Sequence, residues 1–231
     1  MDTDAAAVRV KICGITRPDD AYLAAQLGAD AVGMVFVPSS PRCVRDFGLC
    51  REILSALPPF VQAVGLFFNQ SAQEVEPVLE CSDQLMLQFQ GDESPAYCNG
   101  FGRPYIKGIR MAPDPQPVQM IQAHCESAAA MLLDSYEKGR SGGTGNTFDW
   151  SRVAALSPHF LSAGLSQEYK DSETPRPIPW LMAGGLNASN LEAALRLKPW
   201  GIDLASGVES APGIKDVEKM KVFFERLSRA H

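Results

Sequence analysis

The 231-residue sequence lacks any apolar run near the roughly 18–20 residues that cross a bilayer, which excludes a helical membrane protein. Its opening, MDTDAAAVRV, carries neither a basic n-region nor an apolar h-region, so a cytoplasmic protein is expected. Basic charge is also short. With 21 Lys and Arg against 27 Asp and Glu, the net charge is −6, and a polyanion surface needs the opposite balance. Neither nucleic acid nor membrane is an expected partner, although backbone N–H groups can still hold one small anion. Histidine is scarce: His124 ends a helical pattern, His159 falls in a loop and His231 is the last residue. A serine-histidine-aspartate triad and a histidine metal site are therefore not expected. Six cysteines contain no CxxC pair, which fits neither zinc ligation nor a dense disulfide framework, so they read as reduced thiols.

What the chain does have is a repeat. Short apolar runs at 8–13, 31–36, 61–67, 84–89, 105–109, 129–133, 180–183 and 202–205 alternate with helical patterns at a spacing of 25–30 residues for most of the chain. Helix signals lie between them. Pro18 with Asp19 and Asp20 opens a helix over 19–27 that stops at Gly28, and Ser71 with Glu74 forms a capping box ahead of 72–79. Asn187 precedes 188–197, which Pro199 ends, and 217–229 is the last helix. Eight strand-helix units of this size predict an α/β protein, a single-domain (β/α)8 barrel of the TIM type. Residues 1–7 are expected to be a disordered tail, with the barrel over 8–231 and a polar, proline-rich insertion at about 162–179.

In such a barrel, chemistry collects at the C-terminal ends of the strands. Cys13 ends the first strand, and alternation puts it on the face of Arg9 and Lys11, opposite Val8, Val10 and Ile12. A nearby lysine can lower a thiol pKa to give a usable thiolate, while a lone cysteine is more commonly a buried structural residue. Asp134 ends the sixth strand on the face of Leu132. There an apolar pocket would raise its pKa and make it an acid, or it simply caps the loop. Arg42, held between Pro41 and Cys43, can grip a carboxylate with its forked guanidinium or remain a solvated loop residue. Glycine-containing turns after strands seven and eight, AGGLNASN and ASGVES, can wrap a phosphate with backbone N–H groups, with Gly184, Gly185, Ser206 and Gly207 as candidates. The GGTG of 142–145, followed by Asp149, reads as a lid returning to a capped helix.

Taken in order, KICGIT (11–16), GAD with AVGMVFVPSSPR (28–42), QFQGDES (88–94), LLDSYEKGRSGGTGNTFDW (132–150), MAGGLNASN (182–190) and DLASGVESAPGIKD (203–216) resemble the phosphoribosylanthranilate isomerase family. The resemblance spans nearly the whole chain. It implies a (β/α)8 barrel and an intramolecular oxidoreductase of the aldose-ketose isomerase kind, working without cofactor or metal in tryptophan biosynthesis. The small-molecule substrate would be a phosphosugar, N-(5-phosphoribosyl)anthranilate, rearranged to 1-(2-carboxyphenylamino)-1-deoxyribulose 5-phosphate. It further implies Asp134 as the acid that opens the sugar ring, Cys13 as the base at C2′, Arg42 on the anthranilate carboxylate, and the four loop residues on the phosphate. Gln88 and Gln90 join them as substrate-binding residues. The family usually reads QLHG after strand four, whereas this chain reads Gln88-Phe89-Gln90-Gly91, with an amide in place of the imidazole.

Two other readings stand beside this one. The histidine-pathway isomerase performs a parallel Amadori reaction on the same fold, but it carries an aspartate where Cys13 stands. A catalytically silent phosphate-binding barrel would have no need of Cys13, Asp134 and Arg42 together. The sequence leaves the oligomeric state open, a monomer included.

Overall fold

The structure, a computed structural model, describes residues 8–111, 116–135, 150, 152–153, 156 and 178–230. Eight parallel strands close into one barrel in chain order: β1 (Arg9–Cys13), β2 (Ala31–Val35), β3 (Gln62–Phe67), β4 (Met86–Phe89), β5 (Tyr105–Arg110), β6 (Ala130–Asp134), β7 (Trp180–Met182) and β8 (Gly201–Leu204). The seam is β1 on β8, in register from Arg9 opposite Gly201 to Ile12 opposite Leu204. Every predicted strand is present with ends within two residues, because fully buried parallel strands read as continuous apolar runs.

The described helices are α1 (Pro18–Leu27), α2 (Phe47–Ser55), α3 (Ala72–Leu79), α4 (Pro95–Asn99), α5 (Gln116–His124), α6 (Leu191–Leu195) and α7 (Val217–Arg229). Local chemistry sets their ends. Gly28 closes α1 at φ 106°, donating its N–H to Ala24 and Ala25 carbonyls, a conformation that disfavours a side chain. Glu74 accepts the Ser71 backbone N–H at 2.8 Å, completing the expected capping box of α3. The helix expected over 188–197 is shorter. Asn187 Oδ1 takes the Ser189 N–H and Asn190 Oδ1 takes the Asn187 N–H, so side-chain turns hold this stretch out of the helix until Asn190 caps it. After β8 the chain makes a single 3₁₀ turn, Ser206–Val208, and then an antiparallel hairpin, β9 (Glu209–Ala211) and β10 (Ile214–Lys215), which the unit count did not anticipate.

Strand alternation divides the apolar residues as predicted. Val10 and Ile12 of β1 join the layer between sheet and helices, while Val64, Ile106, Ala130, Leu132, Leu181 and Ala183 fill the barrel interior. Above that floor Cys13, Val35, Val37 and Leu66 form a small cluster at the mouth. The last residues of the expected insertion belong to the barrel: Ile178 is buried, and the Pro179 carbonyl accepts the Met131 N–H. The rest of that insertion, residues 1–7, the glycines of 142–145, Asp149, His159 and His231 lie outside the described residues. Among the described residues no helix is long and apolar enough to cross a membrane.

Candidate active site

The C-terminal ends of the strands surround a partly open pocket. Cys13, Arg42, Gln88, Gln90 and Asp134 all line it, as do Gly184, Gly185 and Ser206. Residues far apart in the sequence therefore meet because each sits at, or just after, a strand end.

Cys13 is 5% exposed. Its register partner on β2 is Gly33, where a Cβ would come within 2.8 Å of Cys13 Sγ and 3.0 Å of Lys11 Nζ, so only glycine leaves room for both. Lys11 donates to Asp203 Oδ1 at 2.8 Å and its charge pulls the Cys13 thiol toward ionisation. The expected depression of the thiol pKa is not found. Burial pushes the Cys13 thiol up and Asp203 adds to it, outweighing the pull of Lys11 and Lys215. Because Asp203 holds Lys11 strongly protonated and partly neutralises its field, Lys11 does not make a standing thiolate.

Asp134 behaves as expected of an acid. Its pKa is raised to about 6, chiefly by burial and further by Asp203, against the lowering effect of Ser135 and Lys11. Ser135 N–H donates to Oδ1 at 2.8 Å and Gln90 Nε2 to Oδ2 at 2.9 Å. No basic side chain forms an ion pair with it among the described residues. Gly184, at φ 82°, lies against this carboxyl: a Cβ there would be 2.8 Å from Ser135 N and 3.2 Å from Asp134 Oδ1.

Arg42 is buried and forked onto a carboxylate of this same chain. Its Nε donates to Glu209 Oε1 at 2.9 Å and its Nη2 to Oε2 at 2.6 Å. Lys215 Nζ donates to the same Glu209 Oε1 at 2.8 Å, to the Cys13 carbonyl at 2.6 Å and to the Ala205 carbonyl at 3.3 Å. Burial raises the Glu209 carboxyl, but Arg42 and Lys215 overcome it and hold the pKa below its ordinary value. The β9–β10 hairpin thus straps Arg42 and the ends of β1 and β8 together. Sequence reasoning missed Glu209, Lys215 and Asp203, although all three stand in the segment DLASGVESAPGIKD that carried the resemblance.

The loop glycines divide. Gly184 and Gly185 both have positive φ, 82° and 64°. Among the described residues the Gly185 and Ser206 N–H groups donate to no backbone or side-chain acceptor, which leaves them available to an anion. Gly207 does not line the pocket. A Cβ there would collide with the Leu186 carbonyl, so this glycine lets the loop after β8 pass against the loop after β7. His124 is buried away from the mouth, with Nδ1 3.0 Å from the Tyr105 hydroxyl and a pKa lowered to about 4 by burial. Among the described residues no cluster of His, Cys, Asp and Glu could hold a metal ion.

Comparison with known proteins places this arrangement. The family described as N-(5'phosphoribosyl)anthranilate (PRA) isomerase matches residues 10–226. The N-(5'-phosphoribosyl)anthranilate isomerase of Azotobacter vinelandii is 44% identical over 97% of this chain and 100% of its own length. That of Leptothrix cholodnii is 43% identical over 97% of this chain and 93% of its own. Among solved structures, the phosphoribosyl anthranilate isomerase of Thermus thermophilus aligns at TM-score 0.78 and 35% identity, covering 97% of this chain and 100% of that one. A phosphoribosyl anthranilate isomerase in complex with reduced 1-(o-carboxyphenylamino)-1-deoxyribulose 5-phosphate aligns at TM-score 0.76 and 30% identity, covering 96% and 99%. Barrel, pocket and family match coincide over the same residues, and the chain belongs to the N-(5'-phosphoribosyl)anthranilate isomerase family.

Proposed function

We propose that this pocket carries out the family's isomerisation with Asp134 as general acid and Cys13 as general base. The reaction belongs to tryptophan biosynthesis and converts N-(5'-phosphoribosyl)anthranilate to 1-(o-carboxyphenylamino)-1-deoxyribulose 5-phosphate. The observation that carries the assignment is Asp134 itself, a buried carboxyl with a pKa near 6 in the same pocket as Cys13.

Asp134 gives its proton to the furanose ring oxygen as the C1′–O bond breaks and the nitrogen lone pair forms C1′=N⁺. Cys13 as thiolate then removes the C2′ proton. The released electron pair makes C1′=C2′ and neutralises the nitrogen, and the resulting enolamine tautomerises to the C2′ ketone. This route needs Asp134 protonated and Cys13 ionised, whereas the resting environment favours the reverse distribution of the one shared proton near neutral pH. The two forms carry the same charge, so the working enzyme draws on the minority protonation state of these two groups. The iminium cation formed in the first step favours the Cys13 thiolate for the second.

Arg42 holds the anthranilate carboxylate with the guanidinium edge that Glu209 leaves unused. The Gly184, Gly185 and Ser206 backbone takes the phosphate, with Gly207 acting through loop packing. Gln88 and Gln90 contact the middle of the substrate. The test is direct: adding the protein should accelerate the loss of anthranilate fluorescence from N-(5'-phosphoribosyl)anthranilate. A Cys13→Ala protein that does so at the wild-type rate overturns the assigned base.

A further inference from the structure

The wall of the pocket formed by β4 contains a chain of amides whose end is unspent. An ionised carboxylate only accepts hydrogen bonds, so Asp134 Oδ2 fixes the Gln90 amide with its NH₂ toward the carboxyl. The Gln90 oxygen then faces Gln88, whose Nε2 donates to it at 3.0 Å. That leaves Gln88 Oε1 buried, with no donor among the described residues, on a side chain 1% exposed that lines the pocket. Its strand neighbours cannot help, because Leu66 on β3 and Ile106 on β5 stand in register with it and carry no polar side-chain atom. The chain of amides is also built for: a Cβ at Gly108 would collide with Gln90 Oε1, so β5 supplies a glycine where Gln90 needs space.

A buried acceptor without a donor is costly and calls for one from the ligand. Resting on the reading of this pocket as the phosphosugar site, the choice of ligand group is narrow. The phosphate and the carboxylate of the substrate only accept; its sugar hydroxyls and its amine N–H donate. We propose that Gln88 is a substrate-recognition residue whose carboxamide oxygen accepts a hydrogen bond from a sugar hydroxyl, while Gln90 ties that contact to the Asp134 carboxyl. Beside its own contact with the substrate, Gln90 fixes the polarity of the Gln88 amide in this scheme.

Two probes test the proposal. One is reduced 1-(o-carboxyphenylamino)-1-deoxyribulose 5-phosphate; the other is 5-(2-carboxyphenylamino)pentyl phosphate, which keeps carboxylate, amine and phosphate but has no hydroxyl. Dissociation constants are read from anthranilate fluorescence. Gln88→Met should weaken the hydroxylated probe by about three- to tenfold and leave the alkyl probe within about twofold. Equal loss on both probes would assign Gln88 to the amine, and no loss on either would remove it from recognition; each overturns the proposal. Wild-type protein that binds neither probe would sink the pocket assignment itself, and the proposal with it. Should Gln88→Met fail to fold, the side-chain amide resonances of Gln88 in the wild type serve instead. They should shift with the hydroxylated probe only, and the same response to both probes overturns the contact.

Discussion

The two walls of the pocket solve the same problem in opposite ways. On the β1–β8 wall every buried charge has a partner: Lys11 with Asp203, and Arg42 and Lys215 with Glu209, at 2.6–2.8 Å. On the β4–β6 wall Asp134, among the described residues the only carboxyl of these strands lining the pocket, meets the Gln90 amide and the Ser135 backbone N–H instead of forming an ion pair. Pairing locks a charge in place, so Glu209 stays ionised and Arg42 stays aimed. The amide wall solvates a carboxylate without stabilising it fully, so Asp134 sits near 6 and can pass a proton. In the proposed roles the paired wall holds the substrate's charges and carries the base Cys13, while the amide wall carries the acid Asp134.

The sharpest test of this contrast is the same chemical change on each wall. Glu209→Gln leaves Arg42 and Lys215 as buried cations without their carboxylate, which costs about 3–5 kcal/mol when one partner of such a pair is lost. Asp134→Asn should do the reverse. Its carboxyl titrates near 6 in the folded protein against an ordinary 3.8, so the ionised form opposes folding at neutral pH. Removing the charge should stabilise by up to about 3 kcal/mol above pH 6, with the gain disappearing as pH falls below the ordinary value. Glu209 has its pKa lowered, so its contribution is present above its ordinary 4.5 and is lost as pH falls through the folded value. Denaturant unfolding at pH 8 and pH 4 measures both. Two changes of the same sign at pH 8 would break the comparison.

Activity should next separate the groups that move protons from the one that holds a charge. Cys13→Ala and Asp134→Asn should each lower kcat by at least about 10²-fold, the usual consequence of losing a positioned base or acid. Arg42→Ala should act chiefly on KM, since its contact with the substrate carboxylate is made in ground and transition states alike. Steady-state rates on N-(5'-phosphoribosyl)anthranilate decide both points, and an Arg42→Ala enzyme with unchanged KM would reject the carboxylate role.

Much of this was legible before the structure. Eight apolar runs marked the eight strands, and period-two alternation put Cys13, Lys11 and Asp134 on the inner face, because a buried parallel sheet leaves little else to decide inside from outside. The pairings were not legible. Nothing in local pattern says that Glu209 returns 167 residues to Arg42, or that Lys11 meets Asp203 across the barrel seam. The direction of the Cys13 shift escaped for a related reason: the sequence showed a neighbouring lysine, but the thiol's burial and the Asp203 that occupies that lysine appear only once the barrel closes. Gly207 was read as phosphate-binding from its motif, which does not show that its Cα also passes against the Leu186 carbonyl with no room for a Cβ.

Gln90 offers the finest test, because it stands where the family pattern carries histidine and cannot itself take a charge. The protonation states assigned to Asp134 and Cys13 predict that kcat/KM rises through a single proton dissociation near pH 6 and falls only above the raised thiol pKa. Gln90→His places a group of ordinary pKa about 6.5 against Asp134 Oδ2, and its cationic form favours the carboxylate. The acid limb should therefore move down by about one pH unit and remain a single-proton step, because the pairing that lowers the carboxyl pKa raises that of the imidazole. Gln90→Met removes the donor without adding charge, so the carboxylate loses a hydrogen bond and the limb should move up. Opposite displacements in the two variants would show that the neutral amide sets the acid's working range. A limb that stays near 6 in both would mean that burial alone sets it and that the amide wall has no part in tuning the proton.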